Sequence, residues 1–151
     1  MRVADLCQQN VVTVSPSAGV PSAARVMREA HVGYLIVVEP AREEGVYKVV
    51  GVLTDRDIVV AVVARDADAR SLTVGDIMTR DPLIANESSP LEATLTLMEE
   101  AGVRRVPVVD SKGALSGVLA LDDALRTIAL QLNKIAGCIG NEQKVERYVR
   151  A

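Results

Sequence analysis

The chain has no Phe, no Trp and only three Tyr among its 151 residues. Its interior must therefore be built from Val, Leu, Ile, Ala and Met, which supply most of a composition that is 49% hydrophobic. The same shortage removes the stacking platforms that usually hold single-stranded nucleic acid. With a formal net charge of -3 and no long basic run, the electrostatic footprint of a nucleic-acid binder is missing too. Cys7 and Cys138 stand far apart without a CxxC, and His31 is the single histidine, so neither a zinc-ligand spacing nor a disulfide framework is visible. The longest apolar run, "IVVAVVA" from Ile58, is much too short to span a bilayer, and the N-terminal "MRVADLCQQN" has no continuous apolar segment of the signal-peptide kind. These absences predict a soluble, cytoplasmic protein without nucleic-acid or membrane partners.

Catalytic signatures are equally scarce. There is no GxxxxGK[ST], no GxSxG and no HExxH, and a lone imidazole leaves little scope for a nucleophile–base pairing. Asp66 and Asp68, and the pair Asp122 and Asp123, read as solvent-facing carboxylates rather than metal ligands. No catalytic residue and no metal site is assigned, and the expectation is a protein that is not an enzyme.

What is present is an internal repeat. Shifting the sequence on itself by 71 residues aligns "DLCQQNVVTV" with "DIMTRDPLIA" and "VMREAHVGYLIVVE" with "LMEEAGVRRVPVVD". Beyond that point the offset falls to 66, because the connection before Gly51 is longer than the one before Gly117. Each copy reads as a short β segment, a helix with apolar positions every three or four residues, two apolar strands joined by a polar connection, and a closing helix. Val20, Ala24 and Met27, and in the second copy Leu91, Leu95 and Met98, are the expected inner faces of the first helices, with Gly102 as a stop. The closing helices are expected over 57–65 and from Asp122 to about Lys134. The predicted division is 1–66 for the first copy, 67–134 for the second, and 135–151 for a C-terminal extension forming a short separate helix. Units of this size bury too little surface alone, so the copies should pack face to face as one α/β (α+β type) body with pseudo-twofold symmetry.

The doubled β-α-β-β-α order, "DIMT" at Asp76, "VRRVPVVD" at Val103 and the G-hydrophobic-hydrophobic-T-x-x-D pattern at Gly51 together resemble the tandem cystathionine-β-synthase-type (CBS) domain family, the Bateman module. The resemblance covers about residues 3 to 130. It implies a regulatory module that binds an adenosine-containing ligand of the AMP, ADP or ATP class between its halves, and signals occupancy to a partner protein. It also implies a homodimer and no required cofactor. Carried onto this chain, the resemblance assigns Thr54 to a ligand phosphate, Asp57 to ribose hydroxyls, Thr13, Tyr34 and Leu35 to the base, and Arg104 and Arg105 to phosphates, with Arg56 inside the motif. The chemistry is suitable: an ionised Asp is an acceptor matched to a diol, a Thr hydroxyl at a strand-to-helix turn can join backbone N–H groups around an anion, and Arg offers a planar fork to phosphate. The second copy retains Asp123 but has Ala120 and Leu121 where the first has Thr54 and Asp55, which predicts one good site and one weak or empty one.

Each residue also has a plainer reading. Thr54-x-x-Asp57 matches a helix capping box that needs no ligand. Arg104 and Arg105 could be solvated or paired with Glu99 or Glu100, Tyr34 could be packing, and His31 could simply end a helix. The rival functional reading is a dimerisation or protein-interaction module that binds no ligand, and a nucleotide hydrolase is a weaker third.

Overall fold

The computed structural model describes residues 1–149, apart from the side chains of Gln143, Lys144 and Arg147. Two small sheets are formed. The first has the order β1 (Thr13–Val14), β2 (Tyr34–Pro40), β3 (Tyr47–Thr54) and β4 (Thr79–Arg80), and the second has the order β5 (Ala85–Asn86), β6 (Arg105–Val109) and β7 (Leu115–Ala120). In both, a short strand runs parallel to the first long strand, and the two long strands pair antiparallel. Both hairpins carry a register shift at the matched position, Val37/Val38 and Val108/Val109.

Helices α1 (Val20–Ala30) and α4 (Leu91–Ala101) bury Val20, Ala23 and Met27, and Leu91, Thr94 and Met98. This shifts the expected inner face by one residue: Ala24 is exposed and Leu95 only partly covered. A polar Thr94 is tolerated inside because its hydroxyl donates to the Pro90 carbonyl at 3.2 Å. Both helices stop at a left-handed residue, His31 (φ 54°) and Gly102 (φ 64°).

The two halves exchange their leading segments. Strand β4 belongs by sequence to the second copy, yet it pairs with β3 of the first, Gly51 opposite Arg80 and Val52 opposite Thr79. Reciprocally, Gln8 and Val118 exchange two backbone hydrogen bonds of 2.9 Å. The cores follow the exchange. Val3 and Leu6 are buried with Met98, Val106, Val108 and Leu119, whereas Val74 lies with Leu35, Val37 and Leu53. A third cluster, Ile36, Val38 and Val49 against Val109, Leu115 and Val118, joins the sheets. The interface is aliphatic apart from Tyr34, which packs at its side.

The closing helix of the first copy is α2 (Asp55–Ala61) followed by a 3-10 turn (Val63–Arg65) that ends at Asp66 with φ 52°. A short helix α3 (Val74–Ile77) opens the second copy. The last helix, α5 (Leu121–Val149), is continuous for 29 residues, so the expected stop near Lys134 and the separate short helix after it are not found. No proline interrupts this stretch, and Gly137 and Gly140, each costing about 1 kcal/mol relative to Ala, weaken a helix without ending it. Among the described residues no helix is long and apolar enough to cross a membrane.

Candidate functional site

Strand β3 runs directly into α2, and the junction is fixed by the residues of the T-x-x-D motif. The Asp57 N–H donates to Thr54 Oγ1 at 3.1 Å, and the Thr54 N–H donates to Asp57 Oδ2 at 2.8 Å. The capping box is therefore formed, but it leaves chemistry to spare. The Thr54 hydroxyl accepts one bond and keeps its own proton to donate, and Asp57 Oδ1 accepts nothing among the described residues. Gly33 lets the turn close. Its carbonyl accepts from the Asp55 N–H at 3.1 Å, and a Cβ at Gly33 would lie 2.6 Å from Asp55 Oδ2.

Thr54, Arg56 and Asp57 line a cleft of about 590 Å³ together with Tyr34, Arg104 and Arg105. Six of the residues expected from the sequence are thus brought to one place. Leu35 and Thr13 are not. The Leu35 side chain is fully buried in the first-copy core, because successive strand residues face opposite ways and its neighbour Tyr34 takes the cleft side. Thr13 is exposed on β1, opposite Ile36, and lines neither this cleft nor its counterpart.

The wall that sequence reasoning missed is Thr79, Asp81, Pro82 and Leu83. These residues precede β5 in the second copy and reach the cleft through the exchange of leading segments. A repeat alignment pairs them with Gln8, Asn10, Val11 and Val12, and those four line the other cleft. The available signal was the glycine kept at Gly51 and Gly117. A Cβ at Gly51 would lie 2.9 Å from the Thr79 carbonyl, and one at Gly117 would lie 2.7 Å from the Gln8 carbonyl. Each glycine marks where the other copy's backbone passes.

The counterpart cleft, about 370 Å³, contains Ala120, Asp122 and Asp123, and also His31. It has Ala120 in the Thr54 position, and among the described residues Asp123 takes no cap bond like the one that holds Asp57. Gly33, Tyr34 and Arg105 line both clefts and form their common wall. The Tyr34 hydroxyl is buried and has no hydrogen-bond partner among the described residues. Burial pushes its ionisation well above the ordinary tyrosine range, with the Arg105 charge acting in the opposite direction. Arg104 and Arg105 pair with neither Glu99 nor Glu100. Arg104 Nη2 lies 2.9 Å from Asp122 Oδ1, and Arg105 Nη2 lies 3.7 Å from Asp122 Oδ2. All three side chains are substantially exposed, which makes these weak surface pairs.

Among the described residues no group of three or more His, Cys, Asp or Glu is placed to hold a metal ion. Both cysteines are free. Burial, followed by the nearby Glu87 charge, raises the pKa of Cys7, so its thiol is held protonated rather than activated.

Comparison with known proteins agrees with this architecture. The CBS domain family matches residues 3–64 and 74–130. The chain is 36% identical to the CBS domain-containing protein YhcV of Bacillus subtilis, over 80% of this chain and 81% of that one. It is 29% identical to protein MK0525 of Methanopyrus kandleri, over 82% of this chain but only 61% of that longer protein. Among solved structures, CBSX2 from Arabidopsis thaliana superposes with a TM-score of 0.72 at 31% identity, covering 88% of this chain and 96% of that one. The CBS domain pair of protein MJ0100, solved in complex with 5′-methylthioadenosine and S-adenosyl-L-methionine, gives a TM-score of 0.73 at 26% identity, covering 87% and 98%. With two matched repeats, two exchanged leading segments and a cleft at each strand-to-helix junction, the chain belongs to the CBS domain family as a tandem pair.

Proposed function

We propose that the protein is a regulatory CBS pair whose Thr54 cleft binds an adenosine-containing ligand and signals its occupancy to a partner protein. The observation that carries this reading is the convergence of Thr54, Asp57, Arg56, Arg104 and Arg105 on one cleft assembled from both copies. The free Asp57 oxygen suits a ribose hydroxyl, the Thr54 proton and the guanidinium groups suit phosphate, and the aliphatic Val52, Leu83 and Val103 suit a purine face. The ligands in the MJ0100 complex belong to the same chemical class. Because the walls come from both copies, a ligand there would bias how the copies pack, which needs no catalysis. The Ala120 cleft is the weaker of the two.

The test is thermal unfolding of the wild type and of Asp57→Ala with adenosine, AMP, ADP, ATP and S-adenosylmethionine. A ligand at 100 times its Kd adds about 2.7 kcal/mol, a rise on the order of 5 to 10 °C for a chain of this size. A rise in the wild type that shrinks in the variant is the expected result. No rise with any of the five, or an equal rise in both proteins, would overturn the reading.

A second reading, self-association as the main role, is favoured by one observation. Leu121, Leu125, Ile128, Leu132, Ile135 and Ile139 alternate at spacings of four and three along α5, the pattern of a coiled-coil seam. Leu125, Leu132, Ile135 and Ile139 are each more than half exposed. Of the positions flanking this seam, Asp122 at its start is charged, whereas Ala124, Ala129, Gln131, Ala136 and Cys138 are not, so these five bring no like-charge repulsion to pairing with a second copy. This supports a homodimer, and it is compatible with ligand sensing.

A further inference from the structure

Asp122 lies in the Ala120 cleft, yet its carboxylate is engaged with the cations of the other one. Arg104 lines the Thr54 cleft and Arg105 lines both. A carboxylate from one cleft therefore hydrogen-bonds Arg104 and lies 3.7 Å from Arg105, the two guanidinium groups through which the other cleft would hold an anion. The repeat does not impose this arrangement, since the matched position in the first copy is Arg56, of opposite charge. The remaining acidic groups on this wall are Asp55 and Asp57, beside Thr54, and Asp81 across the cleft, so each phosphate added to a ligand brings its charge towards a field that Asp122 has already made less positive.

We propose that Asp122 is a specificity-determining residue: by competing with ligand phosphates for Arg104 and Arg105, it selects adenosyl ligands of little or no negative charge over polyphosphates. The inference rests on the adenosyl-binding reading and adds the charge class of the ligand to it. The discrimination is graded rather than absolute. The ion pairs are exposed, so a phosphate displaces Asp122 at modest cost, and the repulsion between like charges a few ångströms apart is moderated by water.

Asp122→Asn keeps the shape and removes the charge, and Asp122→Glu restores the charge. Calorimetric titration of adenosine, AMP and ADP into all three proteins separates charge from shape. In Asp122→Asn, ADP should bind more tightly than in wild type by roughly 3- to 10-fold at low salt, AMP by less, and adenosine within about twofold. The gain should shrink at 0.5 M salt, where the Debye length is only a few ångströms. Asp122→Glu should keep the wild-type ratio of ADP to adenosine affinity. Equal changes for adenosine and ADP, or no change for either, would overturn the assignment while leaving adenosyl binding intact. Failure of all three ligands to bind any of the proteins would instead overturn the adenosyl reading, and this inference with it.

Discussion

Gly51→Ala tests whether the exchanged leading segments hold the candidate site together. Gly51 is buried on β3, paired with Val37 on one side and Arg80 of β4 on the other. A methyl group there would meet Met78 Sδ at 2.7 Å and the Thr79 carbonyl oxygen at 2.9 Å. The methionine end can swing aside, but the carbonyl belongs to the backbone of β4. Relief to an ordinary contact therefore requires the strand to retreat by roughly half an ångström or more. Overpacking of this kind typically costs about 1 to 3 kcal/mol, which for a chain of this length is a fall in Tm of about 2 to 12 °C. The displaced strand continues into Asp81, Pro82 and Leu83, the far wall of the Thr54 cleft. The same variant should therefore bind its adenosyl ligand more weakly than wild type, although no residue of the T-x-x-D motif has changed. Differential scanning calorimetry and ligand titration on the purified variant measure the two effects. A Tm within 1 °C of wild type, with unchanged binding, would show that β4 does not press on Gly51 and that the exchanged segments do not hold the cleft together.

Two further outcomes are expected. Asp76 caps α3 by accepting from the Thr73 N–H and hydroxyl, both at 2.8 Å, and these bonds, the backbone one first, hold its pKa below the ordinary value of 3.8. A carboxyl with a lowered folded-state pKa stabilises fully above its unfolded value, and the stabilisation is lost as pH falls through the folded one. The Tm difference between wild type and Asp76→Asn should thus be largest near pH 6 and close towards pH 3; a difference independent of pH would contradict this. On α5, the double variant Leu132→Glu, Ile135→Glu should show a lower mass by light scattering with little change in the thermal stability of the body, since both side chains are exposed. An unchanged mass would place self-association elsewhere.

Much of the fold was legible because it is written twice. The helix periods, the strand pairs and the stops at Gly102 and its match His31 recur at fixed offsets, so local pattern and repeat supported one another. The differences between expectation and structure have physical causes. Thr94 replaced Leu95 on the inner face because a hydroxyl bonded to the preceding turn can be buried, which hydrophobicity alone does not register. The helix after Leu121 ran past Lys134 because nothing in "IAGCIGNEQKVERYV" forbids helix, and the end of a repeat is not a stop signal.

The sequence by itself determined the aliphatic core, the doubled β-α-β-β-α order and the T-x-x-D cap, since these depend on residues near one another along the chain. The tertiary structure alone decided which copy's leading segment closes which cleft, that Thr79, Asp81, Pro82 and Leu83 line the Thr54 cleft while Thr13 does not, and that Asp122 of one cleft meets Arg104 of the other and Arg105 of their common wall. Those contacts join residues distant in sequence, and they are selected by how two halves of matching topology fit over glycines rather than by any local preference.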